Sequence, residues 1–170
     1  MKVFKQKWIN VLILSFSTLF AQGIWYEGNL KGIERLHLEF NLKGKDDLVW
    51  EKRVVNFIEL RFLEHDIRMV KEKMPKLTVD VHIIDSRVEK ISSFLVTFSI
   101  LNYSVSEPNY YQSMADTVVT KKFMTSRIFG REIMGQTSSQ NLYRDTEKAI
   151  NQLISIFLDQ WYKDNPIKQF

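Results

Sequence analysis

The chain predicts an α+β fold, an antiparallel sheet of four to five strands with two helices packed on one face. Three observations carry that expectation. Apolar and polar residues alternate strictly in stretches such as 36–42 and 77–83, the period of a half-buried strand. Apolar residues recur at helical spacing over 50–62 and again over 142–161. The order is strand, helix, short strand, three meandering strands, helix. Packing both helices on one face of the sheet buries both apolar stripes. The other face then carries the polar alternates and meets water.

The chain opens with Lys2, Lys5 and Lys7, an apolar run from Trp8 to Phe20, and Ala21. A charged start, an apolar stretch and a small residue at a cleavage position read as a secretory signal peptide over 1–21. The run contains Asn10, Ser15 and Ser17 and falls short of the roughly 20 apolar residues a spanning helix needs. Leu19 stands where a smaller residue is usual. An uncleaved anchor and an ordinary buried helix are the competing readings. With the leader removed, no stable membrane span is expected, and residues 22–170 form one α+β domain outside the cytoplasm.

The leader also accounts for most of the basic charge. The chain is formally +4, and removing three lysines from a segment without acids leaves +1. A nearly neutral mature surface argues against a nucleic-acid partner. The chain has no cysteine, which excludes a disulfide framework and a bacterial lipid anchor. Aromatic residues are plentiful and Gly and Pro scarce, so a packed core is expected rather than disorder.

Gln22 to Lys31, with Trp25 and Tyr26, reads as a loosely packed lead-in. In the first strand Leu36, Leu38, Phe40 and Leu42 point one way and His37, Glu39 and Asn41 the other. Gly44 and Lys45 end it, and Asp46 or Asp47 caps a helix through its carboxylate. That helix carries Trp50, Val54, Phe57, Ile58 and Phe62. Asp66 closes it, because Asp tolerates the left-handed conformation and Ile67 can fold back on the last turn.

Ile67 to Val70 predicts a short strand, and Lys71 to Lys76 a charged turn containing Pro75. Leu77, Val79, Val81 and Ile83 alternate with Thr78, Asp80 and His82 in the next strand. After a polar turn at Asp85 to Lys90, Phe94, Val96, Phe98 and Ile100 share one face of another. Ser104 to Asp116 is a loop. A strand from about Thr117 to Arg127 continues, bent at Gly130, to Met134. Gly135 to Ser139 is a break, with Thr137 to Ser139 as candidate caps. The last helix runs from Leu142 past Trp161, and Pro166 marks its limit.

From Leu36 to Tyr162 this order resembles the small bacterial envelope domains typified by the amino-terminal domain of TolB and the core of curli-export lipoproteins. The residues carrying the resemblance include the helix end FLEHDIRMV and the strand pair KLTVDVHII and SSFLVTFSIL. The resemblance is one of topology and speaks to fold more than to function. It implies a periplasmic or secreted domain of the cell envelope. The chain shows neither a propeller repeat nor a lipid-anchor cysteine.

Catalytic patterns are sparse. His37 and Glu39 share one strand face, and Asp80 and His82 share another. If those strands are neighbours, the four side chains could approach as transition-metal ligands. Ordinary polar alternates on a wet face are the stronger reading, and no HExxH, G-x-S-x-G or phosphate-binding glycine loop occurs. No nucleophile, base and orienting group assemble, so no catalytic, cofactor or metal site is assigned.

Tyr110, Tyr111 and Met114 are the candidate partner contact, because they place apolar bulk in a loop. Local packing over one end of the sheet is the alternative. Leu95, Leu101 and Tyr103 add apolar area to the open face, while Lys121, Lys122, Arg127 and Arg131 read as a solvated basic stretch beside Glu132. The expected function is non-enzymatic contact with an envelope protein in an assembly or transport system. The alternatives are a carrier of an apolar or lipid ligand and a hydrolase or metalloenzyme. A cavity lined by Phe57, Phe98, Phe157 and Trp161 would favour the carrier.

Overall fold

The computed structural model describes residues 28–85, 90–105 and 123–169. The expected leader lies outside them. Five strands, two helices and a final 3-10 turn follow in the order β1 (Arg35–Lys43), α1 (Leu48–Leu63), β2 (Arg68–Met69), β3 (Lys76–Asp85), β4 (Ile91–Ser104), β5 (Met124–Ser138), α2 (Leu142–Asp164) and Pro166–Gln169. The fold is α+β, as its periodicities predict.

The sheet order is β2-β1-β3-β4-β5. The sheet is mixed, which corrects the expectation of an antiparallel one. β1 runs parallel to both β2 and β3, and only β3, β4 and β5 pair antiparallel. The cause is α1, which acts as the crossover that parallel strands require. It returns the chain to the starting end of β1, so β2 begins in the same direction. The turn before β3 then passes around the start of β1 with that direction kept. His37 holds both sides there, its N–H donating to the Pro75 carbonyl at 2.9 Å and its Nδ1 lying 3.1 Å from the Val70 carbonyl.

The helix ends follow their local chemistry. Asp47 accepts from the Trp50 N–H at 2.9 Å and is the cap of α1. At the other end Asp66 takes φ +59°. The Ile67 N–H donates to the Phe62 carbonyl and the Asp66 N–H to the Leu63 carbonyl, a Schellman closure with buried Ile67 folded back on the helix. Gly44 takes φ +87°, and a Cβ there would lie 1.8 Å from the Ile83 carbonyl oxygen. The turn from β1 into α1 therefore requires glycine.

Both helices cover one face of the sheet. Phe62 of α1, Phe98 of β4, Phe129 of β5 and Phe157 of α2 form one ring cluster with centroids 5.3 to 6.4 Å apart. Leu77, Val79, Val81 and Val96 make its floor, all fully buried. Trp161 is buried beside it and donates through Nε1 to the Ile33 carbonyl at 2.7 Å.

The described part of the lead-in is docked firmly rather than loosely. The Gly28 and Leu30 N–H groups donate to the two carboxylate oxygens of Asp164, and Gly32 N–H donates to Asn165 Oδ1. Leu30 is fully buried. The end of α2 thus holds the residues that enter β1.

β5 and the start of α2 differ from their expected forms in three ways. Gly130 pairs in register with Ser99 and makes no bend; the irregularity is at Ile128, between the Ile100–Phe129 and Leu101–Arg127 pairs. The strand also runs through Gly135 to Ser138, since Gly135 lies directly against the Phe94 ring, where a Cβ would come within 2.4 Å of it. Asn141, not Thr137 to Ser139, is at the cap position of α2, while Thr137 Oγ1 donates to Asp145 at 2.7 Å.

Truncating Phe157 to Ala removes the ring that touches Phe62, Phe98 and Phe129 at once. The expected loss is about 3–5 kcal/mol of unfolding free energy, from lost burial and the cavity left behind. Denaturant titration of wild type and variant measures it. A loss below about 1 kcal/mol would mean that α2 is not seated on this face.

Candidate functional site

Tyr110, Tyr111 and Met114 lie outside the described residues, but both stems of their loop are described. Tyr103 stands near the end of β4, and Phe123 and Met124 stand where β5 begins. The rings of Tyr103 and Phe123 approach to 6.1 Å between centroids. Tyr103 is 57% exposed, Phe123 67% and Met124 52%. Apolar side chains therefore face outward at the end of β4 and the start of β5. Phe123 and Met124 are the members of this cluster that sequence reading passed over, because at the edge of a strand they carry no periodicity that sets them apart. Their signal was only their closeness to an aromatic loop.

The second candidate surface is the sheet face opposite the helices. Register places its side chains in rows across the strands. Glu39, Thr78, Ser99 and Gly130 form the middle row. His37, Lys76, Leu101 and Arg127 lie on one side of it, and Asn41, Asp80, Thr97 and Glu132 on the other. Beyond the latter come Lys43, His82, Leu95 and Met134. Leu95, Leu101 and Tyr103 are on this face, as alternation predicts. Lys76 Nζ pairs with Glu39 at 2.8 Å, and Asn41 Nδ2 donates to Asp80 at 2.9 Å. Lys76 chiefly, then Asn41, holds the Glu39 carboxyl below the ordinary glutamate range. At the β5 side a shallow basin of 330 Å³ is lined by Thr97, Arg127, Gly130, Arg131 and Glu132. Gly130 leaves room for Arg127, whose Cδ would lie 3.1 Å from a Cβ there.

The metal arrangement does not assemble. β1 and β3 are neighbours, yet register sets His37 opposite Lys76 and His82 opposite Lys43, at opposite ends of the ladder. Among the described residues no group of three or more His, Cys, Asp or Glu is placed to hold a metal ion.

The residues named for a carrier cavity do not line one together. Phe98, Phe157 and Trp161 are packed in the core, whereas Phe57 is half-buried. Phe57 instead lines a groove of 190 Å³ between the helices, with Arg53, Val54 and Glu147. Glu147 closes that groove, accepting from Trp50 Nε1 at 2.7 Å and pairing with Arg53. Trp50 stacks on Tyr143 at 4.9 Å, and Lys45 Nζ sits 5.1 Å over the Tyr143 ring.

Asp47 and Asp145, like Glu39, are held below their ordinary range. The Trp50 N–H and then Tyr143 act on Asp47; the Thr137 hydroxyl acts first on Asp145, with Lys148 and Arg144 adding to it. All three carboxylates cap helices or tie elements together. Among the described residues no helix is long and apolar enough to cross a membrane. No protein-family model matches the chain, and no curated protein does either.

The lowered Glu39 carboxyl makes a signed prediction. A group whose pKa is depressed by folding stabilises the fold above its unfolded value and loses that contribution as pH falls through the folded value. Wild type should therefore lose stability as the pH drops below about 4.5, the ordinary glutamate value. Glu39→Gln should be less stable at neutral pH and show a shallower acid dependence. Melting temperatures across pH 7 to about 3 check this. Identical slopes in the two proteins would show that the Lys76 pair adds nothing.

Proposed function

We propose that this chain is an exported, non-enzymatic protein of the bacterial cell envelope. It makes protein–protein contact in an envelope assembly or transport system through the loop between β4 and β5. The observation that carries the reading is the exposed cluster of Tyr103, Phe123 and Met124 at the stems of a loop that itself contains Tyr110, Tyr111 and Met114. Tyr103, Phe123 and Met124, exposed on either side of a segment whose sequence adds Tyr110, Tyr111 and Met114, are costly to leave in water, and Tyr and Met suit partner contact. The leader supplies the export, and the topological resemblance to small envelope domains agrees with it.

The close packing of Phe62, Phe98, Phe129 and Phe157 favours this reading over a carrier, which would need a cavity between helices and sheet.

Changing Tyr110, Tyr111 and Met114 together to Ser tests the contact. The flanking strands supply their own core residues, so the melting temperature should stay within a few degrees of wild type. Cross-linking in intact envelopes, followed by affinity capture, should then lose the partner recovered with wild type, because buried aromatics carry much of an interface's energy. A large fall in melting temperature with the partner still captured would make these side chains core. Amino-terminal sequencing of the exported product is expected to begin just after Ala21. A retained Met1 in a membrane-inserted product would make the protein an anchored one.

A further inference from the structure

The rows on the open sheet face have a symmetry that their sequence order hides. Take the middle row, Glu39, Thr78, Ser99 and Gly130, as an axis lying across the strands. On β5, Arg127 lies on one side of it and Glu132 at the same pairing distance on the other, opposite Leu101 and Thr97. On β3, Lys76 and Asp80 are each two residues from Thr78. On β4, Leu101 and Thr97 flank Ser99, and Tyr103 and Leu95 lie one row further out. Across that line base faces acid on β3 and β5, Leu101 faces Thr97, and Tyr103 faces Leu95.

We propose that this face binds a second copy of the chain, by a two-fold rotation about that row. Turning one sheet over onto another about the axis brings each strand onto its own equivalent. Arg127 of each copy then meets Glu132 of the other, and Leu95 meets Tyr103. A two-fold interface of this kind is isologous, so each contact is made twice. Thr78 and Ser99 on the axis are small enough for close approach, as two packed sheets require, and Gly130 gives room to the Arg127 side chain that lies over it. Aligned sheets cross at roughly 30°, which keeps the pairs nearest the axis opposed.

The charges choose a second copy over another partner. Arg127 and Glu132 are both exposed, and neither makes an ion pair with any described residue. Lys76 and Asp80 already have Glu39 and Asn41, so β5 carries most of the exchange. With strands about 4.8 Å apart and rows about 6.7 Å apart, the face offers roughly 500 Å² per copy. That is the lower limit for a specific interface, so the dimer should be weak and dissociate in the micromolar range or above. The inference shares only Tyr103 with the loop reading and rests on Arg127 and Glu132, which that reading does not use.

Charge exchange tests it. Sedimentation of the chain as recovered after export should show a concentration-dependent dimer. Arg127→Glu and Glu132→Arg alone place like charges together twice, and each should weaken dimerisation by about tenfold or more. The double exchange, Arg127→Glu with Glu132→Arg, should restore it. The native chain has no cysteine, so Thr97→Cys and Leu101→Cys, the β4 pair nearest the axis, provide a second readout that does not depend on charge. Under mild oxidation, a mixture of those two variants should cross-link, and each alone should not. A chain that stays monomeric at millimolar concentration would overturn the proposal. So would a dimer indifferent to both single exchanges, or a mixture of the cysteine variants that fails to cross-link.

Discussion

Phe98 of β4 lies among Phe62, Phe129 and Phe157, and those rings come from both helices and from the neighbouring strand β5. This contact fixes where the rest of the chain can go. With α1 and α2 each committed to the same ring cluster, both helices must lie on one face. The other face is left to whatever the alternating residues supply. Those residues are mostly polar or charged, among them Thr, Ser, Asn, Asp, Glu, Lys, Arg and His, with a few Leu, Met and Tyr, so it can stand in water. The open face and the exposed hairpin stems are therefore consequences of the core.

The strands and helices were legible because periodicity reports burial, and burial here is one-sided. The closing of α1 was legible too. Asp66 followed by an apolar residue specifies the left-handed turn that the backbone adopts. Strand direction was not legible, since alternation is the same in a parallel and an antiparallel ladder. Parallel pairing of β1 came from the α1 crossover, a feature of connection rather than of any residue. In β5 the glycines misled for a related reason. Gly130 and Gly135 read as a bend and a break, yet both are needed for close approach within a continuous strand, Gly130 beneath Arg127 and Gly135 against Phe94.

Site reading from sequence met the same boundary. Same-face pairs such as His37 with Glu39 can be read directly, but whether two pairs meet depends on register. Register set the histidines at opposite ends of the β1–β3 ladder and put Lys76 beside Glu39 instead. It also created the rows on the open face. Arg127 and Glu132 are five residues apart, an odd spacing that puts them on opposite faces of a regular strand. The extra residue at Ile128 brings them to the same face. No reading of alternation alone would have matched them.

The irregularity at Ile128 bears on how the protein can associate. Among the described residues β5 is a long edge strand, and an edge of that length invites pairing with another chain. Here the edge is blunted. The ladder is disrupted at Ile128, whose carbonyl accepts from Asn29 Nδ2 at 3.3 Å, and Arg127, Arg131 and Glu132 place charges along it. Edge-to-edge growth would be open-ended, since each added copy exposes a new edge. A two-fold contact through the face closes after two copies. Its charges also select the orientation. Turned over about the middle row, Arg127 meets Glu132; turned over about the strand direction, each charge would be carried toward its own kind on the other copy. The displacement at Ile128 thus weakens the association that does not close and aligns the charges for the one that does.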